Sequence, residues 1–121
     1  MATLVSAFLG LQSQFKVLHW QTQSYAKHIA YGDAYDTISD LADNFLEIYM
    51  GKYGRVVLED GESIELINIG DMDPGQYIDG AISFLISLDR ELDSRTDTDL
   101  LNIRDEMLAA LNKLKYLLTL K

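Results

Sequence analysis

The chain of 121 residues contains no cysteine, a single proline and no long uninterrupted apolar run. Without cysteine, disulfides, thiolate metal sites and iron–sulfur clusters are excluded, so any bound metal would be held by oxygen and imidazole nitrogen. No apolar run approaches the roughly 20 residues that a membrane-spanning helix needs, and we expect no membrane partner. The N-terminal segment lacks the basic start and the cleavage site of a secretory signal, which predicts a cytoplasmic protein.

The chain is also poor in basic residues. Ten Lys and Arg stand against 19 Asp and Glu, and the formal net charge is −9. No Lys/Arg cluster or basic tail offsets this charge locally, so a phosphate backbone would be repelled. Nucleic acid is therefore not an expected partner. No nucleophile motif is present either, and hydrolase chemistry has no support.

Apolar residues at helical spacing predict an all-α fold. In the first segment Leu4, Phe8, Leu11, Phe15 and Leu18 recur at steps of three and four, which is one stripe of an α-helix. Ser24 and the Asp73-Pro74 pair have the residue types that begin helices. We predict one domain over residues 1–121, with helices at about 3–22, 25–50, 74–93 and 97–119.

The segment 51–73 between the second and third predicted helices breaks the helical pattern. Asp60-Gly61 lies between Val56-Val57-Leu58 and Ile64-Glu65-Leu66, as a hairpin turn lies between two short strands. We therefore predict a short β-hairpin insert. Short links favour antiparallel neighbours, whereas this long connection permits a crossover along the bundle. The expected architecture is a four-helix bundle.

Five side chains on the first two predicted helices are candidate metal ligands: His19, His28, Asp36, Asp43 and Glu47. At about 100° per residue, the last four fall within an arc of about 100° on one helix. Histidine is the commonest metal ligand, and carboxylates one or two turns apart on one face can reach the same cation. A set without sulfur suits Fe(II), Mn(II) or Zn(II). The sequence therefore predicts a metal site.

Each of these residues also has a simpler interpretation. His19 can bond a neighbouring carboxylate or carbonyl while Trp20 packs in the core, and His28 can be a surface or cap residue. Asp36, Asp43 and Glu47 can be the solvated face of an amphipathic helix.

The order of these residues resembles the Dps-like miniferritins. His19-Trp20 lies near the end of the first helix, His28 lies early in the second, and Asp43-Asn44-Phe45-Leu46-Glu47 follows. The resemblance covers residues 8–50 and suggests a divergent branch, phage-borne or environmental, of the ferritin-like superfamily. It implies a ferritin-like subunit with a ferroxidase site across a two-fold interface. His19 and His28 of one chain would face Asp43 and Glu47 of the other, and peroxide or oxygen would oxidise ferrous iron there.

The chain departs from that family at Gly32, where the family has an aspartate, and in the insert 51–73, where it has a short helix. An internal di-iron site is disfavoured because the chain has no Glu-x-x-His. Two functions stay open. One is an iron-binding homodimer of ferroxidase type, with Mn or Zn as other metals. The alternative is a metal-free dimeric helical bundle that serves as an interaction or structural protein.

Overall fold

Four α-helices make up most of the computed structural model, which describes residues 2–121. They are α1 (Ala2–Gln21), α2 (Tyr25–Tyr53), α3 (Pro74–Ser87) and α4 (Thr98–Leu117), and short 3-10 turns cover Ile69–Asp71 and Leu88–Arg90. The predicted all-α bundle of four helices is confirmed. Met1 of the predicted domain lies outside the described residues. None of the helices in this part of the chain is long and apolar enough to cross a membrane.

The apolar stripe predicted for the first helix is the buried face of α1. All five of its residues, Leu4, Phe8, Leu11, Phe15 and Leu18, are buried in the core. The Phe8 ring meets Phe45 of α2 and Phe84 of α3 edge to face, at centroid distances of 5.5 and 6.4 Å. Three helices therefore contribute large side chains to the same layer of the core.

The helices pack in the order α1, α2, α4, α3 around the core. α1 neighbours α2, α2 neighbours α4, and α4 neighbours α3. Contacts of Phe15 with Tyr77 and of Phe8 with Phe84 show that α3 runs antiparallel to α1. Because α2 is also antiparallel to α1, α2 and α3 point the same way. The connection between them must therefore cross the length of the bundle, as the long insert suggested.

This connection contains an irregular segment, residues 54–68, which we call the strap. The predicted hairpin is not confirmed, because the structure assigns no strand to any of residues 2–121. The Asp60-Gly61 turn does form: Gly61 has φ +76° and the Glu62 N–H donates to the Glu59 carbonyl at 3.1 Å. The flanks on either side of this turn do not pair with each other.

Two glutamines of α1 hold the end of the strap instead of a partner strand. The amide of Gln14, only 1% exposed, donates to the Ile67 carbonyl at 2.8 Å and accepts from the Ile67 N–H at 2.9 Å. Gln21 accepts from the N–H of Ile69 at 2.8 Å. A side-chain amide has one donor and one acceptor direction like a peptide group, so these residues satisfy backbone groups without a ladder.

A local glycine cap ends α2, whereas a tertiary contact accompanies the end of α3. α2 continues through Gly51 to Tyr53, and Gly54 ends it with φ +94° and an N–H bond to the Met50 carbonyl. At the end of α3, the buried Arg104 donates to the Leu85 carbonyl and pairs with Asp89, at 2.9 and 2.8 Å. The guanidinium takes a carbonyl that a longer helix would use, and the chain tightens into the 3-10 turn after Ser87.

Candidate functional site

His19 and His28 meet at the turn between α1 and α2, and we call them the histidine pair. The rings stack with centroids 3.8 Å apart and 18° between their planes. The Nδ1 of each ring lies 2.7 Å from the other residue's backbone carbonyl. A carbonyl oxygen only accepts, so both Nδ1 atoms carry hydrogen and donate. The pair thus fastens the end of α1 to the start of α2 by two reciprocal bonds.

Gly32 makes room for the histidine pair. A Cβ at this position would lie 3.0 Å from Cε1 and Nδ1 of the His19 ring. The glycine stands where the family resemblance expected an aspartate, and the structure gives it a packing role. Any side chain there would press on the imidazole.

The histidine pair does not fit a single metal ion bound by one chain. A ligating imidazole holds its metal close to the ring plane, about 2.1 Å from the nitrogen. An ion in the plane of one stacked ring would be too far from the other ring's nitrogen. Among residues 2–121, no three His, Asp or Glu side chains come together in a group able to hold a metal.

The three predicted carboxylate ligands lie on the exposed outer face of α2, away from the histidine pair. Asp43 and Glu47 follow His28 by 15 and 19 residues, which is about 22 and 28 Å along the helix axis. Asp36 follows His28 by about 12 Å. Of the five predicted ligands, the structure therefore brings His19 together with His28 at the turn and leaves Asp43 and Glu47, one helical turn apart, on α2 far from that pair. A site shared with a second copy stays a prediction.

The outer face of α2 carries carboxylates along most of its length and none at its N-terminal end. Five exposed carboxylates, which we call the acidic stripe, fall within about 80° around the axis: Asp33, Asp36, Asp40, Asp43 and Glu47. None of them forms a salt bridge to any residue of the described chain. All 19 acidic residues lie from Asp33 onward, whereas residues 1–32 contain two lysines and no carboxylate side chain.

The carboxylate-free end of this surface is apolar and aromatic. We call Trp20, Tyr25 and Ile29 the aromatic corner, since all three side chains are exposed at the α1–α2 turn. Trp20 is 68% exposed and Tyr25 78%, so the interpretation that Trp20 packs in the core is wrong. The ammonium of Lys16 lies 5.8 Å from the Trp20 ring centroid. Aromatic side chains of this size are enriched at protein interfaces. The absence of acidic residues before Asp33 was the sequence signal for this surface.

The opposite end of the bundle carries a charged cluster that the sequence did not indicate, and we call it the aspartate clasp. Asp97, 2% exposed, accepts hydrogen bonds from the Tyr53 hydroxyl and from the Asp93 N–H. Lys52 lies 3.1 Å from Asp97 and 2.8 Å from Asp99. The clasp fastens the end of α2 to the turn before α4.

These contacts shift the ionisation of the clasp. The hydrogen bond from Tyr53 is the main cause that lowers the pKa of Asp97 below its ordinary 3.8, and the bonds from the Asp93 N–H and from Lys52 add to it. Lys52 likewise lowers the pKa of Asp99. The bond to Asp97 raises the pKa of Tyr53 above 10.0. The clasp is therefore a structural ion cluster with a fixed protonation state near neutral pH.

Comparison with known proteins identifies the family but no activity. Residues 19–118 match the profile of a family of unknown function, DUF5856, and the chain belongs to this family. It is also 42% identical over 52 residues to an uncharacterized 14.6 kDa protein in the mobD-ri intergenic region of Enterobacteria phage T4. That match covers 40% of this chain and 41% of the phage protein, so it spans less than half of either. No solved structure matches.

The expected membership of the Dps-like miniferritins is wrong. The family match covers most of the chain and is to DUF5856, and nothing in the comparisons indicates a ferritin-like protein. The histidine and carboxylate order that suggested the miniferritins has a different basis in the structure. The two histidines fasten a helical turn, and Gly32 accommodates one of their rings.

Proposed function

We propose that this protein is a non-enzymatic interaction protein that assembles as a homodimer through the outer face of α2. The observation that carries the proposal is the division of this face into an aromatic corner without carboxylates and an acidic stripe. An antiparallel two-fold arrangement sets the corner of each copy against the far end of the other's stripe. Hydrogen-bond donors of the corner then meet carboxylate acceptors of the stripe at both ends of the interface.

The register of this dimer follows from the positions on α2. A two-fold axis close to Asp36 sets Ile29 opposite the second copy's Asp43 and Tyr25 opposite its Glu47. The hydroxyl of Tyr25 and the indole N–H of Trp20 are donors, and carboxylates accept from them. The cost of this arrangement is the approach of two Asp36 side chains at the axis.

Introduced cysteines test this register sharply, because the chain has none of its own. In the Ile29→Cys, Asp43→Cys variant, the two thiols lie about 21 Å apart along one helix. A disulfide needs Cα atoms within about 7 Å, so these thiols can join only across two chains. We expect oxidation to give a covalent dimer. The two single-cysteine variants are the controls and should stay monomeric under denaturing, non-reducing conditions.

Two results would overturn the proposal. One is sedimentation of the native protein as a 13.7 kDa monomer at the highest concentration reached, with no covalent dimer from the double variant. The other is cross-linking of the single Ile29→Cys variant, which would place corner against corner. If the protein is a monomer, the acidic stripe would instead be a surface for a basic protein partner.

A metal ion held between two copies is the second candidate function. Both Nδ1 atoms of the histidine pair donate to carbonyls, which leaves each Nε2 able to ligate, as in many metal-binding histidines. Carboxylates of the second copy, drawn from Asp36, Asp43 and Glu47, would complete the site, with Fe, Mn or Zn as the candidate metals. Oxidation of iron rested on the miniferritin resemblance and is not proposed.

Replacement of Asp36 distinguishes the two candidates. In a metal-free dimer, Asp36→Asn removes a repulsion at the two-fold axis and should lower the dimer dissociation constant. In a metal-bridged dimer it removes a ligand, and dissociation should increase. Sedimentation with a chelator and with added Zn²⁺ or Mn²⁺ provides the second readout. Glu106 is an exposed carboxylate of α4, so Glu106→Gln is the matched control. It should change neither the dimer dissociation constant nor the response to chelator and added metal.

A further inference from the structure

A cavity of about 280 Å³ opens where the start of α3 meets the first turns of α2 and the end of α4. Its lining includes Lys27 and Tyr31 of α2, Asp73 and Gly75 at the start of α3, and Lys115 of α4. Two lysines thus line the cavity in a chain of net charge −9, with Asp73 beside them and Asp79 bonded to Lys115. Cationic and acidic groups are equal in number here, whereas acidic groups are in excess in the chain as a whole.

Tyr31 is the feature that points to a ligand. Its side chain is 1% exposed and lines the cavity, and its hydroxyl forms no hydrogen bond to another residue of the described chain. The hydroxyl oxygen is not itself buried, since it reaches the open space of the cavity, where it can donate to a ligand or to water. Burial raises the pKa of Tyr31 above 10.0, so the hydroxyl stays protonated and can donate near neutral pH.

The charged groups around Tyr31 differ in whether they are already paired. Lys115 is 2.7 Å from Asp79, and Asp73 caps α3 by accepting from the N–H groups of Gly75 and Gln76 at 2.9 and 3.3 Å. Lys27 has no salt-bridge partner in residues 2–121. The cavity therefore presents one uncommitted ammonium and one uncommitted hydroxyl, beside a 14-residue helix whose first N–H groups are already capped by Asp73.

We propose that this cavity binds a phosphate group, carried by inorganic phosphate or by a small phosphate monoester. Lys27 supplies the charge and Tyr31 donates a hydrogen bond to a phosphate oxygen. Lysine is a common point-charge partner of phosphate. Inorganic phosphate fills only part of the cavity, so a monoester with a larger organic group should bind more tightly if it is the natural source.

Titration with inorganic phosphate, followed by amide NMR of Gly75 and Gln76, tests the proposal. A nucleoside monophosphate at equal concentration distinguishes the two sources. We expect saturable shifts at these amides, and Tyr31→Phe should weaken binding roughly tenfold, because it removes a hydrogen bond to a charged group. Lys27→Met should weaken it at least as much. Thermal melts of both variants check that they fold.

Lys113→Met is the matched control, since Lys113 lies on α4 two residues before Lys115 and does not line this cavity. It should leave phosphate binding unchanged. Equal weakening by Lys113→Met and Lys27→Met would show attraction to surface charge in general and overturn the site. The absence of saturable shifts at Gly75 and Gln76 with either probe would also overturn it.

Discussion

The turn between α1 and α2 and the turn before α4 lie at opposite ends of the bundle, and they fasten their helices with different chemistry. The histidine pair uses two hydrogen bonds from imidazole to backbone carbonyls, in a segment without carboxylates. The aspartate clasp uses a buried carboxylate with an ammonium and a phenol. The first end depends on shape and close packing, and the second depends on charge. Each end should therefore fail under a different perturbation.

The largest effect should come from Asp97→Ala in the clasp. The change leaves the Tyr53 hydroxyl and the Asp93 N–H without their acceptor and removes one of the two carboxylates beside Lys52. Loss of an acceptor for several donors at once is among the most destabilising kinds of substitution. We expect a larger fall in melting temperature, measured by circular dichroism, than any other single substitution at either turn produces. Asp99→Ala, at an exposed position of the same cluster, is the control and should lower the melting temperature far less.

At the histidine end, steric crowding should be the effective perturbation. Gly32→Val places a branched side chain against the His19 ring, where even a Cβ lies at 3.0 Å. We expect destabilisation of about 1–3 kcal/mol, typical of overpacking, from chemical denaturation. Gly80→Ala in α3 is the matched control, because a Cβ there meets nothing within 4 Å. It should stabilise by about 0.5–1 kcal/mol. If Gly32→Val left the free energy of unfolding unchanged, the histidine pair would be able to move without cost.

Acid should affect the clasp more than the histidine end. The folded pKa values of Asp97 and Asp99 lie below the ordinary 3.8 of the unfolded chain. Their contribution is therefore present above pH 3.8 and is lost as the pH falls through the lower folded values. Between about pH 5 and pH 2, the stability of the native protein should fall more steeply than that of Asp97→Asn. Parallel pH profiles of the two proteins in urea would contradict this account.

Salt should produce the smallest effect. Between about 0.1 M and 1 M NaCl, the Debye length shortens from about 10 Å to 3 Å, so exposed charge pairs are screened. The stability difference between the native protein and Asp99→Asn should shrink. The difference between the native protein and Gly32→Val should stay constant, because packing is not screened. Denaturation at both salt concentrations measures the two differences side by side.

The core of the bundle was predictable because it depends on periodicity. The stripe from Leu4 to Leu18 has helical spacing, and burial of that stripe needs no knowledge of its partners. Ser24 and Asp73 were also recognisable as helix caps, and both accept the expected backbone bonds. These features are local, so the residues themselves carry the information.

The strap and the histidine pair were not predictable in the same way. Val56, Val57 and Ile64 have strand propensity, but the bonding partners at the end of the strap are two glutamines of α1. His19 and His28 matched a ligand spacing, but their Nδ1 atoms are committed to each other's carbonyls. In both cases the deciding contact lies elsewhere in the chain. A spacing pattern can therefore suggest the wrong family.

The sequence alone determined that the chain forms an acidic bundle of four helices, because apolar spacing, capping residues and charge are properties of short segments. The tertiary structure decided where α3 ends, which side chains hold the strap, and which polar groups are left without partners. Hydrogen bonds and steric exclusion act over a few ångströms between residues far apart in sequence. They exist only after the helices have packed, and the aspartate clasp and the cavity beside Tyr31 both result from that packing.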